Sequence, residues 1–182
     1  MRADIKITYE DYLSLPDGGP RYQLIEGELF MSPSPSFRHQ AISGRLFAAL
    51  NTYVQQNGSG VAAYAPLDVV LSDENVCQPD VLYISKANAG IIKDEGVFGP
   101  PDLCIEILSP HKPQLDLKAK RSVYAKYGVT EYWIVDPDKN TVIQYRLQED
   151  AERPRHLLDQ SATLTSVLLP GFELNLARLF AK

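Results

Sequence analysis

Pro101-Asp102-Leu103-Cys104-Ile105-Glu106-Ile107-Leu108-Ser109-Pro110 is the run on which the fold turns. Strand side chains alternate between faces, so Asp102, Cys104, Glu106 and Leu108 share one face and Leu103, Ile105 and Ile107 the other. A carboxylate such as Glu106 among Cys, Ile and Leu is costly to bury unless it is paired or bound to a cation. Upstream, Pro79-Asp80 precedes the apolar run Val81-Leu-Tyr-Ile84, a second strand carrying a lone acid within a stretch 76–85. Downstream, Asp116 to Tyr127 reads as a helix closed by Gly128, with Asp116, Lys120 and Tyr124 within one broad face at ~100° per residue. Lys118 is offset from Lys120 by about 200° and cannot serve the same site.

Acid, acid and lysine on strand, strand and helix are the parts of a metal-dependent phosphodiester-cleaving site. Carboxylate oxygens suit Mg²⁺ or Mn²⁺. Such an ion polarises a phosphate and lowers the pKa of a bound water, and an ammonium offsets charge in the transition state. Each residue also has a plainer reading. Asp80 could be a turn residue after Pro79, and Glu106 one half of a buried ion pair with Lys120. Lys120 could be a solvated helix residue whose pair with Asp116 is worth only ~0.2–0.5 kcal/mol.

Around this centre the chain reads as scaffold. Thr8 and Asp11 suggest a capping box opening a short helix, and Pro16-Asp-Gly-Gly-Pro20 a turn. Residues 22–31 form a strand or hairpin with Gly27 at its turn or bulge. Ser32-Pro-Ser-Pro-Ser36 is a rigid break, with Ser36 placed to cap the helix expected over 37–56. That helix carries an apolar stripe of Ile42, Leu46, Ala49, Leu50, Tyr53 and Val54 and ends at Asn57-Gly58. Residues 61–71 alternate as one strand, 72–75 form a turn, and 86–100 a loop with at most one helical turn. Pro110 and Pro113 end the central strand. Glu131–Asp136 and Thr141–Leu147 form a hairpin. Residues 148–156 are polar, with Arg153, Arg155 and His156 in a solvated loop. A strand, a Pro170-Gly171 turn and an amphipathic tail close the chain.

The 182 residues suit a single domain spanning 1–182. Cys77 and Cys104 lack metal-ligand spacing and read as buried strand residues. No apolar stretch reaches the ~20 residues that span a bilayer, and the first residues lack a signal-peptide core; the cytoplasm is the expected compartment. The formal net charge of −5 argues against broad coating of nucleic acid, which needs a basic face, but not against a narrow site.

Three runs together point further: Pro101–Pro110, Asp116-x-x-x-Lys120-x-x-x-Tyr124, and Gly128-Val-Thr-Glu-Tyr-Trp-Ile-Val-Asp-Pro137. With Tyr22–Glu28 and His39-Gln40, they resemble the Uma-two family of putative restriction endonucleases, placed in the PD-(D/E)XK nuclease superfamily. The resemblance covers residues 8–176. It implies a restriction-endonuclease-like α/β fold: a mixed, curved sheet flanked by the 37–56 and 115–127 helices, with the site at the sheet edge near the second helix. It implies a metal-dependent endonuclease hydrolysing DNA, with Mg²⁺ or Mn²⁺ held by Asp80, Glu106 and Ile107. Leu108 stands where the superfamily's lysine commonly lies, so Lys120 on the following helix becomes its replacement. Glu28 and His39 become accessory catalytic residues, although His39 alone reads as a helix N-terminal residue bonded to backbone. His111-Lys112-Pro113 makes the loop after Ser-Pro more basic than the family pattern. The alternative is a catalytically silent member that binds nucleic acid or protein. DNA and a second copy of the chain are the expected partners, with no membrane and no small-molecule cofactor. Tyr132 and Trp133 read as core or dimer interface, and the homodimer expectation rests on the resemblance and on the apolar strand surface that they and the 141–147 hairpin offer.

Overall fold

The computed structural model describes residues 6–16, 20–109 and 115–181, with backbone alone for 115–117. The middle of the Pro16–Pro20 turn, the Pro110 and Pro113 strand stop, His111-Lys112-Pro113 and the Asp116 side chain lie outside what is described. Thr8 and Asp11 form both bonds of the capping box at the head of α1 (Tyr9–Leu13). β1 (Arg21–Ile25) and β2 (Glu28–Ser32) pair across a two-residue turn in which Glu26 and Gly27 both have positive φ, 54° and 83°. Such a turn matches the twist of the strands it joins, and glycine adopts it without strain. Ser36 Oγ accepts the His39 N–H and caps α2 (Phe37–Asn57), which ends at Gly58 with φ 56°.

Residues 61–71 do not make one strand. β3 (Gly60–Tyr64) and β4 (Val69–Ser72) are separated by the Ala65-Pro66 bond and lie in different sheets. The stretch 76–85 is likewise cut in two, as β5 (Asn75–Cys77) and β6 (Val81–Ser85). Proline has no N–H to give a ladder, so Pro66 and Pro79 mark the points where the chain crosses from sheet to sheet. Asp80 therefore sits in a crossing, one residue before its strand. The expected loop 86–100 holds a 3₁₀ turn (Lys86–Ile91) and the short pair β7 (Ile92–Lys93) and β8 (Gly96–Phe98). β9 (Leu103–Ile107) is the central strand. π-helical turns over Leu115–Lys120 run directly into α3 (Arg121–Tyr127), closed by Gly128. β10 (Glu131–Asp136), β11 (Thr141–Arg146) and β12 (His156–Asp159) follow, then β13 (Thr163–Thr165), β14 (Glu173–Asn175) and α4 (Leu176–Leu179). His156 thus opens a strand rather than lying in the polar loop.

One six-stranded sheet runs β12-β11-β10-β9-β6-β3, mixed because only β9 and β10 are parallel. The other runs β2-β1-β5-β4-β8-β7, and β13 and β14 pair separately. α2 lays Ile42, Leu46, Leu50 and Val54 on the first sheet, against Tyr83, Leu103, Ile105 and Trp133. At about 1.5–3 kcal/mol per fully buried aliphatic side chain, that stripe supplies about 6–12 kcal/mol of gross burial. The opposite face of the same sheet is covered twice. α3 packs Val123 and Tyr124 over Cys104, Tyr132 and Ile134, and the second sheet brings Val69 and Val97 against Leu82 and Ile84. Cys77 and Cys104 are buried, as their strand reading implies.

The apolar surface attributed to a subunit interface is consumed inside the chain. Tyr132 and Trp133 are 0% exposed, and Val142 and Tyr145 are buried. Among the described residues no helix is long and apolar enough to cross a membrane.

Candidate active site

β6 and β9 run antiparallel with Val81 opposite Ile105, so the register brings Asp80 beside Glu106 as the next pair along. The site is thus at the end of two interior strands, not at a sheet edge as expected: the edges are β3 and β12. Asp80 is clamped on both oxygens. Oδ2 accepts the Ile107 N–H at 2.7 Å, and Oδ1 lies 2.9 Å from His39 Nε2. Ser36 caps the helix turn that carries His39, so the cap fixes the imidazole over the crossing. His39 therefore contacts a carboxylate through its side chain, in addition to its backbone contact with Ser36.

Glu106 faces the α3 side, as the strand alternation requires. Oε1 accepts the Tyr124 hydroxyl at 2.8 Å, and Oε2 lies 2.8 Å from Lys120 Nζ. Both ends of the ion pair are nearly sealed, with 3% and 4% of the Lys120 and Glu106 side chains exposed. The solvated reading of Lys120 is therefore excluded, while Lys118 is exposed. Burial, then the neighbouring Glu106 charge, pushes the Tyr124 hydroxyl well above its ordinary pKa, so it remains a donor. Burial likewise raises the Cys104 thiol beneath Glu106 well above its usual value, leaving it protonated and unreactive.

Asp80, Glu106, Lys120, His39 and Ile107 line one cleft of about 310 Å³. Its lining also takes in Met31 to Ser36, Arg21 and Gln23 of β1, Arg38, and the Pro137-Asp138 turn. Arg38 is tied to that turn, donating to the Pro137 carbonyl and to Asn140 Oδ1. Gln23 Oε1 accepts the Gln78 N–H and its amide donates to Ser32, joining the β1–β2 hairpin to the crossing before Asp80. Spacing pointed to neither glutamine; a polar residue inside an apolar strand, and one directly before Pro79-Asp80, were the available signals.

Glu28 is not brought to this cleft. It is exposed at the start of β2, directly after the β1–β2 turn; in that turn the Glu26 N–H donates to Asn75, which also bonds Tyr127. Tyr127 is at the far end of α3, seven residues and about 10 Å of helix from Lys120.

Among the described residues no three His, Cys, Asp or Glu side chains gather as a metal-ligand set. The two carboxylates still fit a magnesium-like ion, which is commonly held by one or two carboxylates with water and substrate phosphate completing its shell. N–H and C=O of a strand residue leave by the same edge, so the Ile107 carbonyl faces the Asp80 side as its N–H does.

The sequence pattern of the Uma2 family, described as putative restriction endonuclease, matches residues 9–177. Among solved structures, that of a putative nuclease from Anabaena variabilis is similar at 25% identity, with a TM-score of 0.81 over 96% of this chain and 98% of that one. No curated protein matches.

Proposed function

The chain belongs to the Uma2 family of putative restriction endonucleases, and on that footing we propose that it is a metal-dependent endonuclease hydrolysing DNA phosphodiester bonds. The observation that carries this reading is the convergence of Asp80, Glu106 and Lys120 in one cleft, from a crossing, a strand and a helix. Asp80 and Glu106, with the Ile107 carbonyl, would hold Mg²⁺ or Mn²⁺. Bound there, the ion supplies Lewis-acid polarisation of a phosphate and acidifies water.

The chain's own residues do the rest. The Ile107 N–H and His39 aim the Asp80 carboxylate, and Tyr124 and Lys120 aim Glu106. Rigid aim matters because carboxylates left to rotate would spread the charge the site must focus. Lys120 is the cation available at the Glu106 end of the cleft to offset charge growing on the phosphate oxygens. In the overall hydrolysis a water oxygen bonds to phosphorus, one ester P–O bond breaks, and the proton ends on the leaving oxygen.

Calorimetric titration with Mn²⁺ tests the first requirement. Wild type should show saturable binding that Asp80→Ala loses; equal affinity in both proteins rejects the reading. A catalytically silent nuclease fold that binds nucleic acid or protein is the outcome if the metal binds and DNA stays intact.

A further inference from the structure

Arg38 lines the cleft from the first turn of α2, next to His39, whose ring meets Asp80. Three hydrogen bonds set its guanidinium. Nε donates to the Pro137 carbonyl at 3.1 Å, and Nη2 donates to the same carbonyl at 2.9 Å and to Asn140 Oδ1 at 2.7 Å. Asn140 receives it from a backbone at φ 53°, a left-handed conformation that asparagine adopts more readily than most residues. Both acceptors are neutral oxygens, so the bonds fix the group and leave its charge whole. Three of the five N–H donors of the guanidinium are spent, which leaves the two on Nη1.

A tie between α2 and the turn after β10 needs no charge. A half-buried guanidinium held rigid without a counter-charge suits a planar contact to phosphate oxygens. A second arginine stands on the same lining. Arg21 and Gln23 are two apart on β1 and share a face, and both line the cleft, so Arg21 is exposed on the cleft side of its strand. Lys120, by contrast, is paired with Glu106. Among the described residues no carboxylate forms an ion pair with either arginine. The two are local cations at the cleft in a chain of net charge −5.

We propose that Arg38 seats the DNA in the cleft by donating from Nη1 to a backbone phosphate beside the scissile one, with Arg21 taking a second phosphate. This rests on the phosphodiester reading of the cleft and adds the residues that position the substrate.

Fluorescence anisotropy of a labelled oligodeoxynucleotide duplex tests it, at several KCl concentrations and with Ca²⁺ in place of Mg²⁺. The slope of log Kd against log[KCl] reports the phosphates engaged, at about 0.9 per contact on duplex DNA. Arg38→Gln should weaken binding about 10- to 100-fold, the order for lost hydrogen bonds to a charged group, and reduce the slope by about 0.9. Adding Arg21→Gln should reduce it by about as much again. Asn140→Asp keeps an acceptor for Nη2 but sets a carboxylate against the guanidinium. It should unfold in urea no more easily than wild type and still weaken DNA binding. A tie that serves the fold alone predicts the reverse. Arg38→Gln would then lose stability with its salt slope unchanged, and Asn140→Asp would bind DNA as wild type does; either result overturns the proposal. Mg²⁺-dependent cleavage by wild type with an unchanged slope in Arg38→Gln overturns this assignment and leaves the hydrolytic reading standing. Reduced slopes without cleavage by wild type support the seating role and defeat hydrolysis. Failure of wild type to bind DNA defeats both.

Discussion

In the proposed reading Lys120 would carry two roles that one substitution cannot separate. It is one of the cations lining the cleft and also the partner of a buried carboxylate. Removing one half of a buried pair typically costs about 3–5 kcal/mol, because the other charge is stranded. Lys120→Met should therefore lower stability by that order in urea unfolding, as well as abolish cleavage. The double change Lys120→Met with Glu106→Gln removes both charges and should recover most of the stability while staying inactive. If the double variant cleaves DNA, Lys120 and Glu106 are structural only. Lys118→Ala, at an exposed position, should change stability by under about 0.5 kcal/mol and leave the cleavage rate alone. Tyr124→Phe deletes a hydrogen bond to a charged group, worth about 1.5–3 kcal/mol. It should also weaken Mn²⁺ binding, because Glu106 loses the Tyr124 anchor; unaltered Mn²⁺ affinity would assign Tyr124 to packing alone. The four-residue spacing of Lys120 and Tyr124 was legible because both sit on one helix. That both reach the same carboxylate was not, since spacing gives a direction around a helix and not the strand it faces.

At the scale of elements, the turn after β10 orders one wall of the cleft. Burial works against the Asp136 charge, but the Lys139 N–H and ammonium and the Asp138 N–H outweigh it and hold its carboxyl below the ordinary value of 3.8. A lowered folded pKa means stabilisation that is present above the ordinary carboxylate pKa and is lost as pH falls through the folded one. Asp136→Asn keeps an oxygen for the two amides and loses the ion pair with the exposed Lys139. It should destabilise by less than about 1 kcal/mol at pH 7, with the deficit vanishing in acid. Denaturation curves taken from pH 7 down into acid well below 3.8 check this; a deficit that does not shrink as the pH falls contradicts it. Helix α2, its Ser36 cap and its buried stripe were legible because period and cap agree. The stretches 61–71 and 76–85 were misread as continuous strands because alternation survives across Pro66 and Pro79, while sheet membership does not. The second of those crossings is what places Asp80 beside Glu106.

For the whole molecule, β6 and β9 meet at a cleft lined by the β1–β2 hairpin, the Ser-Pro run after it, the start of α2 and the 137–138 turn. The acid pair and the lysine could be read from local pattern and resemblance. The walls could not, because Arg21, Gln23, Gln78 and Pro137 come together only through long-range register. Glu28 illustrates the limit from the other direction: its place beside Gly27 suits a hairpin turn, and the turn lies at the wrong end of α3. Tyr132 and Trp133, which read as core or interface, are core because α2 and α3 cover the two faces of the sheet. The account stands or falls on chemistry at Asp80, and one measurement reaches it: the Mg²⁺-dependent rate of opening covalently closed circular DNA, single- and double-stranded, by wild type and Asp80→Asn. The substituted amide would keep an acceptor oxygen for the Ile107 N–H, so the fold should survive. The account predicts Mg²⁺-dependent cleavage by wild type and a loss of at least about 10²–10³-fold in the variant, the order seen when one charge-stabilising group is removed from an active site. Equal rates in the two proteins, or circles left intact by wild type at saturating Mg²⁺, would contradict it.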